Sequence, residues 1–208
     1  MPVVPGFRSE WNRYVYDTVA IAHTVAMGSQ QTFFTAAIGQ GTSPTTGSGT
    51  KQIQDTNLTE PRKLPFLAGD AWIKSIGLEI SGVDGLATPN DVRRLFKHFI
   101  GTLLINNDDY LQGPLVCYPA GGGPFHTGQL STAMLALTTN TFGMSNGLPS
   151  ASAAMILDKP VGIGQGETFE FQLNGSTFTT DAAAGTTLGQ GLLLRCILNV
   201  WAGQAASQ

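Results

Sequence analysis

The sequence predicts an all-β domain, a two-sheet sandwich or barrel with one short helix near residues 88–99 and an extended N-terminal arm. Three observations predict it. Polar and apolar residues alternate through Glu167-Thr168-Phe169-Glu170-Phe171-Gln172-Leu173, the period-2 pattern of a half-buried strand. Leu192 to Trp201 is a long, nearly continuous apolar run, which suits a central strand covered on both faces. Short strand-like segments recur along the chain with Gly, Asn and Pro turn signals between them.

Taken in order, residues 1–15 read as an arm. Pro2, Pro5 and Gly6 interrupt regular structure, and Phe7, Trp11 and Tyr14 then arrive with Arg8 and Arg13. Aromatic and Arg enrichment marks candidate interface anchors. Asp17 to Met27 reads as a strand, Gly28-Ser29 as a turn, and Gln30 to Ile38 as a second strand. The Gly/Ser/Thr-rich segment from Gly39 to Gly49 reads as a loop too polar to bury, and Gln54 to Lys63 as an extended polar connector. Phe66 to Ile80 contains a strand, with Trp72, Lys74, Ile76, Leu78 and Ile80 on one face.

Thr88 to Phe99 carries helix signals. Thr88 suits the N-cap, Pro89 the first turn, and Asp91 the positive end of the helix dipole. Val92, Leu95, Phe96 and Phe99 form one apolar stripe, leaving Arg93, Arg94 and Lys97 as a small basic face and a second candidate interface. Ile100 to Ile105 follows as a strand, Asn106 to Asp109 as a turn cluster, and Leu115 to Tyr118 as a short strand. Ala120 to Gly128 and Thr138 to Ser150 read as loops, with Leu130 to Leu137 a strand or short helix between them. Ser152 to Leu157 restarts the sheet. Lys159-Pro160 is a rigid break, Gly164-Gln165-Gly166 a turn, and Asn174-Gly175 a type I′ hairpin returning through Ser176 to Thr180. Residues 16–202 thus form one domain, and 203–208 a frayed tail.

Composition bounds the function. Charged residues make up 12% of the 208, about half the usual share. The 11 basic and 14 acidic side chains must coat a folded surface of roughly 9,000 Å². A freely soluble domain carries a denser, mixed-sign coat, so this surface suits contact with other subunits. The net charge of -3 supplies no global basic field for nucleic acid. Cys117 and Cys196 form no CxxC pair; a disulfide and two buried thiols are both open, and their apolar surroundings favour thiols. The N-terminus lacks a secretory pattern, and no apolar run reaches the ~18 residues of a spanning helix.

Chemical motifs are weak. Gly143-Met144-Ser145-Asn146-Gly147 matches a nucleophile elbow, but polar residues precede it and His23, His98 and His126 all come before Ser145, the wrong order for that triad. No histidine spacing supports zinc. Asn106 to Asp109 offers oxygen ligands without the spacing of a calcium loop. Gly162, Gly164 and Gly166 lead into a strand, which excludes a helix-based phosphate cradle. An enzyme would need a distant constellation such as His126 with Asp108 or Asp109. No catalytic residue, metal or cofactor is expected.

The aromatic arm, the short strands with Thr/Gly-rich loops, and the segment Pro160-Val161-Gly162-Ile163-Gly164-Gln165-Gly166-Glu167-Thr168-Phe169-Glu170-Phe171 together resemble the jelly-roll capsid proteins of icosahedral viruses, particularly the single-jelly-roll proteins of membrane-containing bacterial viruses. The segment looks like the lead-in to their penultimate strand. The resemblance covers about a quarter of the chain and carries no short catalytic motif. It implies a single jelly roll and a coat subunit, made in the host cytoplasm and housed in the virion. Its partners would be copies of itself, other capsid proteins and an internal lipid membrane, with no specific nucleic-acid recognition and no small-molecule substrate. The alternative is a carbohydrate- or receptor-binding β-sandwich of spike or fibre type. Trp72, Tyr110, Tyr118 and Trp201 would then line a sugar platform, although Trp72 and Trp201 read as core residues.

Overall fold

Ten strands and one helix make up the computed structural model, which describes residues 7–22, 29–65, 71–82, 89–119, 125–127, 143–145, 156–164, 166–177 and 190–205. The strands are β1 (Phe7–Ala22), β2 (Gln30–Phe33), β3 (Ala71–Gly82), β4 (Phe99–Ile105), β5 (Asp108–Pro114), β6 (Phe125–Thr127), β7 (Gly143–Ser145), β8 (Ile156–Ile163), β9 (Phe169–Gly175) and β10 (Gln190–Ala205). Helix α1 spans Pro89–His98.

Four antiparallel pairs are nested one inside another along the chain: β1 with β10, β2 with β9, β3 with β8, and β4 with β5. Antiparallel links from β10 to β3 and from β9 to β4 gather them into two four-stranded sheets, ordered β1-β10-β3-β8 and β2-β9-β4-β5. A hairpin-like ribbon folded over so that alternate pairs fall in opposite layers is a jelly roll, here as a two-sheet sandwich. A small separate ribbon pairs β6 with β7.

The core lies between the sheets. β9 directs Phe169, Phe171 and Leu173 inward, and β10 directs Leu192, Leu194, Cys196, Leu198 and Val200 against them. Phe33 and Phe34 meet Phe171 and Phe169 at ring separations of 6.1 and 5.0 Å, and Tyr118 meets Phe171 edge-on at 5.2 Å. Each buried aromatic or aliphatic side chain contributes about 1.5–3 kcal/mol of transfer free energy. Gly101 on β4 makes room for this cluster, because a Cβ there would lie 2.5 Å from the Phe171 ring and 2.7 Å from that of Tyr118. β10 is central, as its apolar run predicts. Only one of its faces is fully buried; Leu193, Arg195, Ile197, Asn199 and Trp201 line a partly exposed outer face.

Several local expectations change. The arm expected over 1–15 is strand from Phe7 onward, because the prolines that interrupt the backbone all precede it and β10 supplies a partner as far as Ala205. The same pairing draws Gly203 to Ala205, expected as tail, into β10. β2 stops at Phe33 because Phe34 adopts a left-handed conformation (φ 69). Leu115–Cys117 forms a 3-10 turn rather than a strand. That turn brings Tyr118-Pro119 alongside β3, where the Tyr118 carbonyl accepts the Leu78 N–H.

β3 does not hold one alternation. Register slips between Ile73 and Ser75, so Ala71 and Ile73 face the core before the bulge, and Ile76, Leu78 and Ile80 after it. A β-bulge inserts one extra residue and reverses which parity faces inward. Lys159 and Pro160 lie within β8, in a stretch without ladder partners between Ile156 and Val161. An edge strand tolerates proline there.

The type I′ hairpin is at Asn106-Asn107 (φ 52 and 70), joining β4 to β5, so Asp108 and Asp109 belong to a strand rather than to the turn. Asn174-Gly175 remains extended inside β9. Gly39 to Gly49, expected to be too polar to bury, is mostly exposed, with Ser43 and Pro44 buried; beyond it Lys51, Asp55 and Thr56 are buried as well. The helix matches its signals, with Val92, Leu95 and Phe99 buried; its proposed cap, Thr88, lies outside the described residues. So do Leu130 to Leu137 and most of the two loops beside them.

Candidate functional site

The predicted interface residues fall into two groups, one on strand β1 and one on helix α1. Phe7, Arg8 and Trp11 contribute backbone to β1; their side chains lie outside the described residues. Arg13 and Tyr14 follow on the same edge strand, and Tyr14 is 58% exposed. The Tyr14 carbonyl accepts the Asn57 side-chain amide at 2.8 Å, and the Tyr16 N–H donates to Asn57 Oδ1 at 3.0 Å. Residues 56–57 thereby cover part of the β1 edge, blocking a strip of otherwise unpaired backbone. The second group is on α1. Arg93 and Lys97 are exposed, whereas Arg94 sits 3.6 Å from buried Asp91. The basic face is therefore narrower than the sequence implies.

Sequence reasoning missed one surface and misplaced another, since Trp72 and Trp201 of the expected sugar platform were read as core, while Tyr118, a third member, is buried. On the outer face of the first sheet, Asn12, Trp201, Trp72 and Gly162 form one row across all four strands. The two indoles lie 4.7 Å apart, and Lys74 stands 5.8 Å from the Trp201 ring while donating to Asn12 Oδ1 at 3.2 Å. These tryptophans are thus outer-face residues rather than core. The bulge in β3 reverses the parity, and no periodicity in the sequence marks it.

On the outer face of the second sheet, two rows cross the strands: Gln30, Asn174, Ile100 and Pro114, then Thr32, Gln172, Thr102 and Gln112. None of the eight is ionisable. Gln30 donates to Gln172 and Asn174 at 2.8 and 3.1 Å, and Gln112 to Thr102 at 3.4 Å. Glu170 sits in the next row, nearly buried, with Arg62 at 3.0 Å. An amide and hydroxyl face of this kind presents hydrogen-bonding groups with little desolvation cost compared with charges.

The segment between β2 and β3 folds around two buried carboxylates. Asp55 accepts the Ser43 hydroxyl at 2.8 Å, the Gln52 N–H at 2.9 Å and the Thr45 hydroxyl. Burial alone would raise its pKa; the hydrogen bonds from Thr45, Gln52 and Ser43 outweigh that and hold it below the usual carboxylate range. Asp17 on β1 pairs with Lys51 at 2.5 Å, and Asp17 Oδ2 accepts the Phe34 N–H at 2.7 Å. Burial raises the Asp17 pKa in spite of Lys51. Replacing Asp55 by Ala leaves one buried donor, Ser43, and two part-buried donors, Thr45 and Gln52, without their acceptor and should cost roughly 1–3 kcal/mol. Because its folded pKa is depressed, the contribution of Asp55 is present above the ordinary carboxylate value and disappears as pH falls through the folded one. Urea unfolding of the wild type and Asp55→Ala should therefore converge only in acid, below about pH 4; a difference that persists undiminished well below that value, or that is already lost near neutrality, would refute this role.

The chemistry-bearing residues named from the sequence fall on separate elements, apart from two that share one ribbon and an adjacent pair on β5. His126 and Ser145 lie in the β6–β7 ribbon, and their side chains lie outside the described residues. Asp108 and Asp109 are exposed on β5. Among the described residues, no three His, Cys, Asp or Glu side chains are grouped to hold a metal. Tyr118 is buried, with its hydroxyl donating to the Gly101 carbonyl at 3.1 Å. Burial, with smaller effects from Cys117 and Cys196, pushes its pKa up to about 12. Burial, then Asp17, also raises the Cys196 thiol well above its ordinary value. Cys117 and Cys196 are both free thiols. Among the described residues, this arrangement offers contact surfaces and no grouped nucleophile and base. No protein-family model and no curated protein sequence matches the chain.

Proposed function

We propose that this chain is a coat subunit of an icosahedral viral shell, built by contact with copies of itself and with other coat proteins, and without catalytic activity. The observation that carries the proposal is the pair of adjoining uncharged rows, eight residues in all, on the outer face of the second sheet of a jelly-roll sandwich. Fold alone does not imply function. The sheet face adds a surface poor in the charges that keep a solitary domain apart from its copies. Exposed Tyr14, Ile100, Tyr110 and Val116 add apolar contact area.

The purified full chain, examined by sedimentation and negative-stain microscopy, is expected to form discrete oligomers or closed particles. A stable monomer at high concentration in low salt would sink the proposal.

The outer-face Trp72–Trp201 pair favours a second reading, a glycan- or receptor-binding sandwich. Indole faces stack on apolar sugar faces, and Asn12 and Lys74 supply adjacent polar groups. Under this reading Trp201→Ala abolishes glycan-array binding while leaving the fold intact; an array blank for the wild-type protein counts against it.

A further inference from the structure

Lys51 and Asp17 are buried together, with side-chain exposures of 7% and 0%. Phe34, Thr56, Leu58 and Cys196 are also buried, and Cys196 is the register partner of Asp17 on β10. Lysine and aspartate are rarely buried, and a desolvated ion pair recovers little of the cost of removing both charges from water. The pair is 34 residues apart in sequence, and no catalytic arrangement among the described residues uses it.

The contact sets side by side the two groups that a condensation would join. Lys51 Nζ lies 2.5 Å from Asp17 Oδ1, an oxygen one bond from the carboxyl carbon. The other oxygen, Oδ2, is held by the Phe34 backbone N–H at 2.7 Å, as a developing oxyanion would be. Proximity of this kind replaces a bimolecular encounter with an effectively unimolecular step.

We propose that Lys51 and Asp17 join as an intramolecular isopeptide bond. Proton transfer within the pair yields the free amine and the free acid. Nζ then attacks Cγ, the C–N bond forms, the C–Oδ1 bond breaks, and Oδ1 leaves as water with two protons. An ammonium and a carboxylate become one neutral amide and one water, so no oxidant or activated co-reactant enters. The raised pKa of Asp17, set by burial, favours the acid form that the step requires. The product would tie the edge strand β1 to the segment that follows β2 and close a covalent ring over residues 17–51. It would limit the unfolded chain much as a disulfide does, without an oxidising compartment.

Intact-mass measurement on the denatured, full-length protein, allowing for removal of Met1, tests this directly. Most molecules are expected to fall short of the sequence mass by one water. Tryptic digestion should give a branched peptide joining the segments that contain Asp17 and Lys51, with no cleavage after Lys51. Asp17→Asn should lose ammonia in place of water, and Lys51→Met should show its full mass. The wild-type measurement stands even if either variant fails to fold. A wild-type protein of full mass that is cleaved normally after Lys51, or a water loss that maps elsewhere, would overturn the proposal.

Discussion

Gly175→Ala should destabilise the protein by roughly 3–5 kcal/mol, combining overpacking with the loss of backbone hydrogen bonds at one junction. A Cβ on Gly175 would lie 1.9 Å from the His98 carbonyl oxygen, 2.8 Å from its carbon and 2.9 Å from the Phe99 Cα. All three are backbone atoms, so no side-chain rotation relieves the clash. The junction holds the end of α1 onto β9: Ser176 N–H donates to the His98 carbonyl at 3.2 Å, and Gly175 N–H donates to the Ser29 carbonyl at 2.8 Å. Gly166→Ala is the informative comparison. It has φ 87 but no atom within 4 Å of an added Cβ, so the substitution carries only the left-handed backbone penalty of about 1–2 kcal/mol. Urea unfolding of both variants checks the argument. Gly175→Ala within error of the wild type, or less harmful than Gly166→Ala, would disprove the close approach.

This glycine shows where sequence legibility ends. Asn174-Gly175 carries a strong local hairpin signal, yet both residues are strand at the end of β9, where Gln30 and Ile100 flank Asn174 from both sides. The residue type was diagnostic of a special position; the reason lies 77 residues away, at His98, in a contact that no local pattern records. Segments whose order depends on their own period were legible: β9 by alternation, β10 by its apolar run, α1 by its stripe and its acidic first turn. The nested pairing of strands was not legible, since pairing between distant strands leaves no local trace. The candidate surfaces were less legible still. The face of Trp72 depends on a bulge at Lys74, and the burial of Asp55 depends on three donors converging from positions 43, 45 and 52. A loop rich in Ser, Thr and Gly reads as solvated unless that convergence is known.

Lys51→Met should cost roughly 3–5 kcal/mol at neutral pH, the range for removing one partner of a buried ion pair. The substitution removes the amine whether or not the pair has condensed, so Asp17 is left to titrate as a buried acid. Burial raises its folded pKa above the ordinary carboxylate value, and the variant lacks the opposing effect of Lys51. Between the unfolded and folded pKa values the native state binds more protons than the unfolded chain, so stability falls as pH rises through that window. The deficit of Lys51→Met should therefore be smallest near pH 4 and grow towards neutrality, a window above the one in which Asp55 acts. Adding Asp17→Asn removes the buried charge, and the double variant should recover much of the loss at neutral pH while losing its pH dependence. Urea unfolding of the single and double variants from pH 4 to pH 8 separates the two causes. A Lys51→Met deficit that stays constant across this range, or a double variant no better than the single one, would mean that the loss comes from packing around Lys51 rather than from a stranded carboxylate.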